Sequence, residues 1–336
     1  MRATLTARLT SGVTDRYLLA HSFPVRAHGA EMKGPVKTAL LIAMLVLVAP
    51  PAGAQAALVF QSDFGTRDGA VAAMRGVAAS VDPNLRIFDL THEIAPFDLW
   101  EAAYRLRQVT PYWARGTVFV SIVDPGVGTA RLGVVARTTR GQLIVSPDNG
   151  TLTLIASEIE EVREIDVERQ RLPGSERSHT FHGRDIFAYL GARLAAGIVK
   201  FEEVGPTRGT ALVRLEVAAP RRDGARLQGM VAMIDRPYGN LWTNIPASLV
   251  DSAGLVVGDT VVVRITNGAR EIFNGRVPFV ESFGHAAIGA PVMYLNSLLD
   301  LAIALNQRNF AERFRVSNGP AWTVSVERVR ARSTTP

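Results

Sequence analysis

Three aspartates stand in turn-forming company: Ser62-Asp63-Phe64-Gly65, Asp124-Pro125-Gly126 and Pro147-Asp148-Asn149-Gly150. Each follows a short apolar run that reads as a strand, so each delivers a carboxylate at a strand end. A carboxylate in that place can accept two hydrogen bonds from a diol, or take a proton from water. His182, in Thr180-Phe181-His182-Gly183-Arg184-Asp185, sits at a loop-to-helix junction. An imidazole there can face a cleft and serve as a proton acceptor near neutral pH. The structural alternative for the same segment is that Asp185 caps the helix and Arg184 pairs with an acid. His92, after a strand and a threonine, reads as a structural hydrogen-bonding group. Asp235-Arg236-Pro237-Tyr238-Gly239-Asn240-Leu241-Trp242-Thr243-Asn244 sets an acid and two amides in a strand–turn–strand context. Such a set can read an adenine edge or an ammonium group, or hold a turn by Asx-type bonds.

Other chemistries are excluded by what is missing. The 336 residues contain no cysteine, which removes disulfides, thiol catalysis and cysteine-ligated metals. Gly126-Val127-Gly128 suggests a dinucleotide fingerprint, but the third glycine position holds Arg131. No phosphate-cradling Gly-Lys-Ser/Thr loop, His-Glu-x-x-His or Gly-x-Ser-x-Gly elbow occurs. His92, His179, His182 and His285 lack the helical or hairpin spacing of metal ligands, so no metal site is expected, a metal-dependent hydrolase being the competing class.

The elements that must position these residues fall into two halves. Ala57–Phe60, Leu85–Leu90, Thr117–Val123, Gly133–Thr138 and Gln142–Ser146 read as strands. Asp68–Ser80, Asp98–Val109 and Asp185–Ala196 have helical spacing. The alternation predicts an α/β domain over 57–206 with a mostly parallel sheet, whose strand ends carry Asp63, Asp124 and Asp148 on one rim. From residue 207 to 336 short strands predict a smaller all-β, barrel-like domain: Leu212–Ala218, Leu227–Asp235, Thr260–Ile265, Glu271–Phe273 and Pro291–Asn296. Leu298–Arg308 has helical spacing near its end.

Residues 1–56 form a separate piece. Met32-Lys-Gly-Pro-Val-Lys, an apolar run Thr38–Ala49 and a small-residue stretch predict a signal peptide, cut near Ala54 or Ala56, behind an upstream extension. The run is shorter than the roughly 20 residues that span a bilayer. The mature chain is expected to be periplasmic or secreted and free of the membrane. The net charge of +6 is concentrated in this piece; beyond residue 56 there remain 31 basic and 29 acidic residues. A nucleic-acid surface is therefore not expected.

In their order along the chain, these segments together with Asp89-Leu90-Thr91-His92, Val123 through Arg131 and Asn296-Ser297 resemble the S-adenosylmethionine hydroxide adenosyltransferase family, the hydrolase relatives of fluorinase and chlorinase. The resemblance implies conversion of S-adenosylmethionine and water to adenosine and methionine, with no cofactor. It implies a homotrimer whose site lies between the first domain of one subunit and the second domain of its neighbour. It maps a catalytic triad onto Asp124, Arg131 and His182, a ribose ligand onto Asp63 and an aromatic wall onto Phe97. The methionine ammonium falls to Asp235, adenine to Asn240 and the methionine carboxylate to Ser297. Halogenase relatives carry an aromatic residue in place of Asp124, so halide transfer is the weaker reading. An exported adenosyl-binding protein without turnover is the other alternative. Ser62 replaces threonine, Tyr189 replaces proline, and Leu298-Leu299 stand where glycine is common.

Overall fold

A computed structural model describes residues 56–329. Except for Ala56, the expected extension and signal peptide lie outside the described residues. Six strands form the first sheet: β1 (Ala57–Ser62), β2 (Arg86–Thr91), β3 (Val118–Ile122), β4 (Gly133–Thr138), β5 (Leu143–Pro147) and β6 (Ile159–Glu164). Their order is β2-β1-β3-β5-β4-β6. The first four in that order run parallel, while β4 pairs antiparallel with β5 and β6.

Parallel strands need both faces covered, and β1 is buried along its whole length. Three helices serve the sheet: α1 (Ala70–Val81), α2 (Leu99–Val109) and α3 (Tyr189–Ala195). Met74 and Ala78 of α1 and Leu190 of α3 pack with Leu58, Phe60, Val118 and Val120. On the other face Leu106 of α2 meets Val59, Phe119 and Ile144. The approach of α3 is close. A Cβ on Gly191 would lie 2.3 Å from Cγ2 of Val120.

The second sheet comprises β7 (Arg221–Asp223), β8 (Arg226–Asp235), β9 (Asn240–Pro246), β10 (Thr260–Asn267), β11 (Arg270–Pro278), β12 (Pro291–Leu295), β13 (Asp300–Leu305) and β14 (Trp322–Arg328). Every pairing between these strands is antiparallel, in the order β11-β10-β14-β8-β9-β13-β12, with β7 on β8. Phe279, just past β11, bridges to Met293 of β12, which nearly closes the sheet into a barrel. Alternation sets the inside: Val261, Val263 and Ile265 of β10 are buried while Thr260 and Arg264 are exposed. The expected α/β sheet and barrel-like second half are both present.

Several elements differ from the sequence expectation. Residues 212–218 form no strand. The Val213 amide donates to Asp148 Oδ1 at 2.8 Å and the Leu215 amide to Thr153 Oγ1 at 2.9 Å, so side chains take the place of a ladder. The expected helix at 298–308 is instead a turn followed by β13, which is buried along its length between β9 and β12. The helix expected from Asp185 starts as a π-helical turn, Gly183–Ala188, that leads into α3.

Gly191→Ala is expected to cost about 1–3 kcal/mol of unfolding free energy by urea titration, because a methyl must enter occupied space. Gly76→Ala, in α1 where nothing stands within 4 Å, is expected to gain roughly 0.5–1 kcal/mol in the same assay.

Candidate active site

Strand order brings the two aspartates together. β1 and β3 are adjacent and parallel, so Asp63 and Asp124 leave the sheet on the same edge. Asp148 emerges beyond β5 on that edge too, but it is diverted to hold the Val213 amide.

The Asp63 loop is fixed from below. Ser62 Oγ lies 2.7 Å from Nδ1 of His92, and Nε2 of His92 lies 3.2 Å from Asp89 Oδ1. Both Ser62 and His92 are buried, so His92 has the structural role expected of it. Oδ2 of Asp63 accepts from the Phe97 amide at 2.9 Å. Phe97 adopts φ 67° and is 67 % exposed, so an open aromatic ring is held in a backbone region that costs a non-glycine residue roughly 1 kcal/mol. The Asp63 carboxylate thus braces a costly, exposed conformation.

Asp124 begins a loop that turns back on itself. Thr129 Oγ1 donates to the Gly126 carbonyl at 2.7 Å, and the chain returns Arg131 to face Asp124. Arg131 Nη2 pairs with Asp124 Oδ2 and also lies 3.3 Å from His182 Nδ1. A guanidinium only donates, so Nδ1 accepts and the proton of neutral His182 is assigned to Nε2. The Arg131 guanidinium stacks over Phe187 at 5.3 Å. Three polar atoms of the cluster are buried without a hydrogen-bond partner: Asp124 Oδ1, His182 Nε2 and Arg131 Nε. Burial pushes the Asp124 carboxyl above the usual aspartate range, against the pull of Arg131. Burial and the Arg131 charge push His182 below the usual imidazole range. The first shift makes Asp124 a better proton acceptor, and the second keeps His182 neutral near neutral pH. Arg184 pairs with the buried Asp185 at 2.6 Å, one part of the structural arrangement weighed for that segment, while Asp185 lies inside the π-helical turn and does not cap it.

Asp63, Phe97, Asp124 and His182 line one cavity of about 310 Å³, with Arg131 standing behind them. Asp235, Asn240 and Ser297 line a second cavity, of about 950 Å³, in the barrel half. Asn240 Nδ2 donates to Asp235 Oδ2 at 3.2 Å, and burial raises the Asp235 carboxyl. The two cavities share no lining residue. The eight expected site residues thus gather into two groups, one on each half of the chain. Among the described residues no group of three or more His, Cys, Asp or Glu could hold a metal ion.

The larger cavity also contains residues that sequence reasoning missed. Trp242, Tyr294 and Phe283 line it. Burial pushes the Tyr294 hydroxyl up to about 12. Trp242 stands two residues beyond Asn240 on β9, so period-two alternation would have put it on the same face. Phe64 and Phe181 meet edge to face at 5.7 Å on the wall of the smaller cavity.

His92→Ala is expected to lower unfolding free energy by about 2 kcal/mol in denaturant titration, because Ser62 loses its buried partner.

Comparison with known proteins gives a consistent result. Residues 58–205 match the model of the SAM hydroxide adenosyltransferase N-terminal domain, and residues 229–323 that of its C-terminal domain. An (R)-S-adenosyl-L-methionine hydrolase of Salinispora arenicola is 39 % identical over 273 residues, 80 % of this chain and 97 % of the relative. A fluorinase of Actinoplanes is 30 % identical over 299 residues, 82 % of this chain and 99 % of the relative. A solved structure of an uncharacterized conserved protein from Thermotoga maritima superposes with a TM-score of 0.73 at 32 % identity, covering 81 % of this chain and all of that one. Spanning both matched domains in order, the chain belongs to the SAM hydroxide adenosyltransferase family.

Proposed function

We propose that the protein hydrolyses S-adenosyl-L-methionine to adenosine and L-methionine. The observation that carries this reading is the half-buried Asp124–Arg131–His182 cluster, whose Asp124 and His182 line the cavity that also holds Asp63. Water attacks ribose C5′ in line with the C5′–S bond. The new bond is C5′–O. The old bond leaves its electron pair on sulfur, which departs as the neutral thioether of methionine. A sulfonium leaves without an acid, so the chemistry asks only for a positioned water and a proton acceptor. It calls for no cofactor, since S-adenosylmethionine is itself the substrate.

Asp124 Oδ1 is the acceptor. Nδ1 of His182 is occupied by the Arg131 donor, so His182 offers Nε2–H to orient the water oxygen. Arg131 holds both partners in place and offsets the charge that remains. Asp63 has one oxygen on the Phe97 amide and the other free for the ribose diol. Asp235 takes the ammonium, Asn240 the adenine edge and Ser297 the methionine carboxylate. A halide in place of water would bring a second negative charge against a buried carboxylate, a costly arrangement at low dielectric. This favours water over the halide used by the fluorinase relatives.

One substrate molecule must touch both groups of residues, yet the two cavities share no lining residue within a chain. In keeping with the family resemblance, the proposal includes a homotrimer, each site joining the smaller cavity of one copy to the larger cavity of the next. It also includes export, on the leader-like segment ending near Ala56.

The direct test is incubation with S-adenosylmethionine in chloride-free buffer containing a chelator. Adenosine and methionine are expected in equal amounts; tight binding without product would instead indicate a binding protein. Asp124→Asn is expected to lower kcat by roughly 10²–10⁴-fold. Protonation of Asp124 removes the acceptor, so kcat/KM is expected to fall toward acid, with its midpoint above the ordinary aspartate range. No alkaline loss is expected from His182, which is already neutral there. Inactive Asp124→Ala and Asp235→Ala variants, mixed with subunit exchange, are expected to recover about a quarter of parental activity, because random assembly makes one site in four intact. No recovery would place each site within one chain.

A further inference from the structure

We infer that Glu101 and Arg107, on α2, are positioning residues for the amino-acid end of the substrate, acting through Arg236 and Asp300; this rests on the function proposed above. At the end of β8 and in the turn that follows, Asp235, Pro237 and Tyr238 line the larger cavity and Arg236 does not. The Arg236 side chain turns the other way, and its Nη2 donates to Glu101 Oε2 at 2.7 Å. Glu101 is only 3 % exposed, and its second oxygen accepts from Arg105 at 2.9 Å. Burial works against its charge, but the two arginines outweigh it and hold the carboxyl below the usual range. A buried, charged anchor in α2 thus grips the residue next to Asp235.

A second tether grips the other rim. Arg107 Nη1 donates to Asp300 Oδ2 at 2.8 Å, and Asp300 is 2 % exposed. Asp300 closes the turn that carries Ser297. Asn296 Oδ1 accepts from the Leu298 amide at 2.9 Å and the Asp300 amide at 3.1 Å, which leaves Leu299 at φ 59°. Both tethers therefore end within three residues of a cavity-lining polar group. Adhesion between the halves does not need them there. Tyr104 already packs on Ala232 and Met233, and Trp100 Nε1 donates to the Ala232 carbonyl at 2.6 Å. Ion pairs with one buried partner contribute little net stability compared with apolar packing, but they hold a specific geometry. Placed at two turn ends, that geometry is the spacing between Asp235 and Ser297.

The test uses Arg236→Ala, whose parent side chain is 58 % exposed and whose loss spares the core. Two readouts are taken: steady-state kinetics with S-adenosylmethionine, and amide hydrogen exchange of the free protein. KM is expected to rise about 10-fold with kcat within roughly 3-fold, the pattern of lost ground-state positioning. Exchange at Tyr238 and Gly239, whose amides donate to the Asp235 carbonyl, is expected to quicken. Arg236→Lys should restore most of both, and adding Glu101→Gln to Arg236→Ala should change little further. Unchanged exchange, or faster exchange with unchanged KM, overturns the inference, as does a fall in kcat at unchanged KM. If the parent converts no S-adenosylmethionine, the proposed function fails; the exchange readout then decides, without substrate, whether Arg236 holds the turn.

Discussion

A carboxylate withdrawn from water with one oxygen unsatisfied is costly, and Asp124 is such a group. Arg131 makes it tolerable by pairing with the other oxygen. The same guanidinium then determines which nitrogen of His182 carries the proton. One cation thus opposes the effect of burial on an acid and fixes the tautomer of a base, and it stacks on Phe187. The first half brings these groups to one edge. The parallel pairing of β1 and β3 aligns Asp63 with Asp124, and the folded-back loop returns Arg131. The π-helical turn that begins at Gly183 places His182 at the mouth of the helix.

The second half depends on the first through α2. The helix begins just after Phe97, whose amide braces Asp63, and its body holds Arg236 and Asp300 beside the larger cavity. One rigid element therefore orients parts of both cavities. The exposed aromatic rings of Phe97 and Tyr238 line these cavities as apolar surface.

The sequence was most legible where local pattern and tertiary environment agree. β1, β3 and β4 are apolar runs closed by turn residues, and α1 and α2 carry helical spacing. The rim of aspartates followed from strand ends alone. Reading failed where the environment overrode the pattern. Leu301-Ala302-Ile303-Ala304-Leu305 is rich in helix formers, but a slot between β9 and β12 buries it on both faces as a strand. Residues 212–218 alternate like a strand, but side chains take two of their amides. β6, Ile-Glu-Glu-Val-Arg-Glu, is too charged to read as a strand; Arg137 and Arg163 pair with Glu161 there. The pairing of Glu101 with Arg236 spans 135 residues and leaves no local signal.

Hydrolysis by water at ribose C5′ is tested most directly by turnover in oxygen-18 water, followed by mass spectrometry of both products. One labelled oxygen is expected in the 5′-hydroxyl of adenosine, and none in methionine. Unlabelled adenosine, or a 5′-halogenated nucleoside formed in its place when chloride is supplied, would contradict attack by an Asp124-activated water.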